Sequence, residues 1–216
     1  MTDWLAGVSS LAFLLLFLTG HIDSVALLAG FIPVRWSDPA LFMHLVGPGA
    51  AVPAWLTPLT ATLVHAGWFH IGFNMLMLLF CGRYVEHVVG PWLLLMLYGV
   101  GAYAAAGAQW LATPASTSPM VGASGAISAI LGTYALLYSQ QKVKALGPIP
   151  ANVVRMAWLA AGWIAVQLMI GIATHDSDGA FGHIAVAAHI GGFIAGLLLT
   201  RLALRMRFRK RPTGIQ

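Results

Sequence analysis

The chain has 216 residues, of which 59% are hydrophobic and only 8% charged, about a third of the roughly 25% usual in soluble domains. Mean hydropathy is +0.84. So little polar surface excludes an ordinary soluble enzyme and a disordered chain, and the lone Cys81 excludes a disulfide scaffold. What remains is an integral membrane protein.

Apolar stretches between polar or proline-bearing breaks predict six spans, at about residues 4–20, 65–82, 92–112, 123–140, 153–172 and 184–203. All eleven prolines fall outside them, as expected when a proline costs a helix interior about 3 kcal/mol. Six spans in a chain this short leave no room for a sizeable extramembrane domain, so residues 1–216 are expected to form one membrane domain. The segment 21–64 is neither polar nor a clean span. It holds Pro33, Pro39, Pro48, Pro53 and Pro58 around the apolar pieces Val25–Ile32 and Leu41–Val46. It is read as a long membrane-associated first loop, with Trp36 and Trp55 at headgroup depth; a broken seventh span is the alternative.

Charge sets the expected orientation. With the N-terminus in the cytoplasm, Arg83, Lys142, Lys144, Arg155 and the six basic residues from Arg201 onward face inward, and only Arg35 faces out. Asp23, Asp38, Asp176 and Asp178 then lie outside. Both termini are expected in the cytoplasm, with a basic tail over 204–216 against anionic lipid rather than nucleic acid. No basic residue precedes the first apolar run, so no cleaved signal peptide is expected. A bacterial inner membrane is the expected location. No internal repeat is visible, which argues against transporters built from duplicated halves.

With charges cleared from the spans, uncharged polar side chains stand out: His70 and Asn74 in the second, Gln109 in the third, Ser124 and Ser128 in the fourth, Gln167 in the fifth and His189 in the sixth. Buried polar groups in hydrocarbon are costly without partners. Spans two, four and six all begin at the predicted outer face, which sets His70, Asn74, Ser124 and His189 at depths of roughly 0–14 Å. Four residues of matched type thus share one layer.

Ser124 stands in Val121-Gly122-Ala123-Ser124-Gly125, where a loop becomes a helix and unpaired N–H groups can hold an oxyanion. His189 precedes Gly192 and Gly196 on its own helix face, and Ser124, Ser128 and Gly132 form a strip of small residues on span four. Two such strips let helices approach closely enough to bring His189 to Ser124. A serine needs a base to become a nucleophile, and a Ser–His pair with nearby donors is the minimum for acyl transfer. No carboxylate is available at this depth. Taken singly, each feature is more often packing: a Gly-x-Ser-Gly lets helices touch, and a lone histidine is usually a satisfied core residue. His70 and His189 have no third ligand at plausible spacing, so neither a metal nor a cofactor is expected. Trp158 and Trp163 read as lipid-facing or core filling.

These motifs together resemble the rhomboid family of intramembrane serine proteases. His65-Ala-Gly-Trp-Phe-His70-Ile-Gly-Phe-Asn74 is similar to the family's motif on its second helix, continued by Gly82 to Glu86. Gly122-Ala123-Ser124-Gly125 is similar to its nucleophile motif, and Ala188-His189 with Gly192 and Gly196 to its base motif. The resemblance implies a six-helix bundle in which Ser124 is the nucleophile and His189 the general base. It implies that His70, Asn74 and the Ser124 N–H stabilise the oxyanion, and that His65, Gly122, Gly125, Gly192 and Gly196 are structural. Transmembrane-helix proteins would be the substrates, cut near the outer face. A non-catalytic relative that binds transmembrane helices is the alternative. Two positions depart from the family pattern. Ser128 stands where many members carry an aromatic ring against the catalytic histidine, and Trp55-Leu56-Thr57-Pro58 lacks the arginine of a Trp-Arg pair.

Overall fold

The computed structural model describes residues 1–46, 52–138, 143–174 and 185–208. Lys142, Asp176, Asp178, Arg209, Lys210 and Arg211, and the Gln167 side chain, lie outside what it describes. Among the described residues the fold is helical, in this order: α1 Thr2–Thr19, α2 Ile22–Ala29, α3 Val34–Ser37, α4 Pro39–Val46, α5 Thr57–Thr60, α6 Trp68–Val89, α7 Pro91–Ala112, α8 Ser124–Tyr138, α9 Ala151–Thr174 and α10 Val186–Arg207. Short 3-10 turns, Ala54–Leu56 and Ala61–Leu63, flank α5.

By length and composition, α1, α7 and α10 can cross a membrane. A fourth candidate is the segment Ala54–Leu63 with α6, bent by 91° between them. The α8 helix is apolar but shorter. With its apolar helices this is an integral membrane protein.

Helix ends follow local chemistry. Gly20, at φ +70°, closes α1, its N–H bonding back to Phe17. Pro91, placed before the third span by sequence, is the first residue of α7, where its missing N–H has no intrahelical role. Gly90, at φ +89°, makes the corner between α6 and α7. The α6 helix runs to Val89 and α10 to Arg207, past the expected ends at 82 and 203. Arg83 and Glu86 thus lie within α6, and the first part of the expected tail is helix. Hydropathy falls at Arg83, but the helix runs on, and the added turns meet the start of α1. Arg83 meets Asp3 at 2.9 Å, and Glu86 accepts the Thr2 N–H at 2.8 Å.

The start of α1 therefore sits at the end of α6. The Arg207 side chain lies beside Gly90 at that same end. Tyr138, at the end of α8, donates to the Tyr84 carbonyl, and Arg155, early in α9, donates to that of Leu136. The opposite end of the bundle gathers the start of α6, α8 and α10 with residues 31–37 and 52–66.

The core is built around α8. Its Gly125–Ile130 stretch is almost entirely buried, and it packs most extensively on α10, then on α7 and α6. Phe13, Leu78, Val85, Leu94 and Leu97 fill the space beside it, in one cluster with its own Ile127 and Ile130. Small residues on α8 leave little side chain between it and its neighbours.

Within the segment 21–64, the described residues fold into the short helices α2 to α5 with their 3-10 turns, and they are stitched to the chain entering α8. Phe31 and Met120 exchange backbone hydrogen bonds of 3.0 and 2.7 Å as an isolated bridge. Val34 N–H reaches the Ser116 carbonyl, and Ser37 Oγ donates to that of Pro114. Trp110 Nε1 donates in turn to Ser37 Oγ at 2.8 Å.

Candidate active site

Ser124 is the first residue of α8, so its N–H belongs to the turn that has no intrahelical acceptor. Gly122, two residues earlier, has φ +107°, and its N–H bonds to the Ala61 carbonyl at 2.9 Å. His189 lies in the first turn of α10. Its Nε2 is 2.8 Å from Ser124 Oγ. A serine hydroxyl and an imidazole nitrogen from helices 65 residues apart in sequence are thus in direct hydrogen-bond contact.

Glycines make that approach possible. A Cβ on Gly192 would overlap the Gly125 carbonyl oxygen, one on Gly196 that of Ala129, and one on Gly132 that of Phe193. A Cβ on Gly125 would lie 2.6 Å from the Ala105 Cβ, so α8 is equally tight against α7.

From α6, His70 Nδ1 accepts the Ala66 N–H at 3.4 Å, an arrangement that leaves the proton of a neutral ring on Nε2. That Nε2 faces Gly122 closely enough that a Cβ there would be 2.5 Å away. Asn74, 4% exposed, donates one amide hydrogen to the His70 carbonyl at 2.8 Å and keeps a second. His65 is fully buried, edge-on to His70 at 5.1 Å, and its Nε2 accepts the Ala123 N–H at 3.4 Å. The Gly122–Ser124 segment thus touches His65, His70 and His189.

Such a site can pass a proton from a hydroxyl to an imidazole while N–H donors wait nearby, the equipment of acyl transfer.

Residues 53–206 match the Rhomboid domain family. The chain belongs to the rhomboid family. Among curated rhomboids, it is 40% identical over 78 residues to rhomboid-like protein 11, chloroplastic, of Arabidopsis thaliana, covering 35% of this chain and 26% of that one. It is 30% identical over 142 residues to rhomboid protease GluP of Bacillus subtilis, covering 66% and 25%. To rhomboid protease GlpG of Pectobacterium atrosepticum it is 30% identical over 139 residues, covering 63% and 44%. The chain spans less than half the length of each of these relatives.

Two features of this rhomboid's site escape sequence reasoning. One is Arg35, which stands some twenty residues before the Trp55-Leu56-Thr57-Pro58 stretch. Arg35, 9% exposed, donates through Nη2 to the Val52 carbonyl and lies over the Phe42 ring at 4.7 Å. Its neighbour Trp36 donates Nε1 to the Ala54 carbonyl at 3.2 Å. The second is Trp163, which is not mere filling: its Nε1 donates to the His189 carbonyl at 3.2 Å. The only sequence hint was an indole N–H in an apolar span, a donor that needs a partner there. At Ser128, in place of the ring, a hydroxyl donates to the Ser124 carbonyl at 2.8 Å.

Proposed function

We propose that this rhomboid is an intramembrane serine endopeptidase that cleaves transmembrane segments of other membrane proteins with a Ser124–His189 dyad. The observation that carries the reading is the 2.8 Å separation of His189 Nε2 and Ser124 Oγ. His189 takes the Ser124 proton as Oγ attacks the scissile carbonyl carbon. The carbonyl π electrons move to oxygen, and the oxyanion meets His70 Nε2–H, the second Asn74 amide hydrogen and the Ser124 N–H. The tetrahedral centre collapses, the C–N bond breaks, and His189 gives its proton to the leaving amine. Water, deprotonated by His189, then attacks the acyl ester and releases the new carboxylate from Ser124.

In this reading the chain is one domain of six spans, α1, α6, α7, α8, α9 and α10, with residues 21–64 at the outer interface and both termini cytoplasmic. The site then lies toward the outer face, which fits the inward bias of the basic residues. The relatives named as rhomboid proteases support the activity. A helix-binding scaffold has no need of a serine and a histidine in hydrogen-bond contact.

The test is cleavage of a labelled transmembrane peptide by the purified chain in liposomes, beside Ser124→Ala and His189→Ala. Both substitutions should remove nearly all turnover, and undiminished cleavage by either would end the dyad reading.

A further inference from the structure

His189 stands on the first turn of α10, which begins at Val186. Its N–H reaches the Ala185 carbonyl at 3.2 Å. Helix ends open at lower free energy than helix middles, so a base placed there needs outside support to hold its aim. Gly192 and Gly196 seat α10 on α8, but further along the helix.

Support at the first turn comes from α9. Trp163 Nε1 donates to the His189 carbonyl oxygen at 3.2 Å. The same indole stacks on Phe193, with centroids 4.9 Å apart and planes 12° from parallel. Residues 189 and 193 are one turn apart on the same face of the helix. One rigid ring therefore holds α10 at two points, by a directional bond at the turn bearing the imidazole and by a stack at the next.

We propose that Trp163 is a positioning residue that pins the first turn of α10 and so keeps the His189 imidazole aimed at Ser124 Oγ. The inference rests on the protease reading above. A misplacement of about 1 Å at a reacting group can cost on the order of 10²-fold in rate, so a bond that only steadies the backbone still acts on turnover. Trp158 is the natural contrast: it lies on the same helix, with its side chain 65% exposed.

The experiment compares Trp163→Phe, Phe193→Leu and Trp158→Phe in the full chain, in liposomes, with a transmembrane peptide substrate and a fluorophosphonate probe for Ser124. Trp163→Phe keeps a ring and loses the donor. Its kcat should fall roughly fivefold, the worth of one neutral hydrogen bond, with KM unchanged. The probe should label Ser124 more slowly by the same factor, and the unfolding temperature should match that of Trp158→Phe. A Trp163→Phe protein that cleaves and labels like Trp158→Phe overturns the inference. Should Trp163→Phe not fold, Phe193→Leu decides: slower labelling at unchanged KM supports the role, and labelling at the wild-type rate overturns it. A wild-type chain that neither cleaves nor labels at Ser124 overturns the protease reading and this inference with it, a result distinct from active wild type with indifferent variants.

Discussion

His70 Nε2 faces Gly122 so closely that a single methyl group on Gly122 would lie 2.5 Å from it. The backbone there is at φ +107°, a conformation that side chains rarely adopt. Gly122→Ala therefore brings backbone strain of about 1–2 kcal/mol together with displacement of the His70 ring. Under the protease reading, Gly122→Ala should lose most of its kcat and unfold at lower temperature. Gly72→Ala, on α6 with nothing within 4 Å of the added methyl, should keep kcat near wild type and unfold at no lower temperature. Turnover and thermal unfolding of the two variants in detergent check this.

Ser128 shows why an aromatic ring is missing four residues after the nucleophile. It is 4% exposed, and its Cβ would lie 3.2 Å from a Cβ on Gly192. A ring at 128 has no room while α10 lies this close, and overpacking a tight site typically costs about 1–3 kcal/mol. Ser128→Phe should lower thermal stability by that order. Ser128→Ala loses only a bond to a carbonyl one turn back, of a kind nearly neutral for helices, so its stability and turnover should stay within about twofold of wild type.

The membrane class and the site-bearing helices were legible because hydrocarbon is unforgiving of charge, so hydropathy marks spans and any polar residue left inside is conspicuous. That logic led to Ser124, His189, His70 and Asn74. It gave no view of Arg35, whose partner is a backbone carbonyl 17 residues away, nor of Trp163, which meets His189 only through the packing of α9 on α10. Carbonyl acceptors are present at every residue, so no pattern of side chains announces which one a donor will find. The ends of α6 and α10 were read short for a related reason. Hydropathy falls at Arg83 and Arg201, but the backbone hydrogen bonds continue for another turn or two.

Arg35 ties Val52 to the segment that pairs with Met120, ahead of Ser124. Arg35→Met keeps the apolar stem and strands the Val52 carbonyl. Losing a charge-assisted hydrogen bond costs about 1.5–3 kcal/mol, so the unfolding temperature should drop clearly. Arg35→Lys should recover only part of it, because an ammonium lacks the planar face that lies over Phe42. Thermal unfolding of the three proteins in one detergent makes the comparison. Equal stability in all three would show that Arg35 does not hold this segment.

The role proposed for His189 fixes the sign of the pH dependence. An imidazole can accept the Ser124 proton only when neutral. kcat/KM should therefore fall tenfold per pH unit once the pH drops below the pKa of His189 in the free enzyme. A kcat/KM that climbs as the pH falls would remove His189 from the role of base.

Gly196 is the sharpest test of how the two helices meet. A methyl group there would run into the Ala129 carbonyl oxygen, which belongs to the α8 backbone and cannot swing aside. Relief requires α10 to move away from α8, and His189, two turns earlier on the same rigid helix, moves with it. Gly196→Ala should lose far more turnover than its change in unfolding temperature suggests, because the Ser124–His189 bond weakens steeply as the two atoms separate. Gly162→Ala on α9 is the matched control. It adds the same methyl where nothing lies within 4 Å, and replacing a helical glycine favours the fold by about 1 kcal/mol. Fluorophosphonate labelling of Ser124 in both variants separates the outcomes: it should be slow in Gly196→Ala and unchanged in Gly162→Ala. Equal labelling rates would mean that close contact between α8 and α10 does not set the reach of the base.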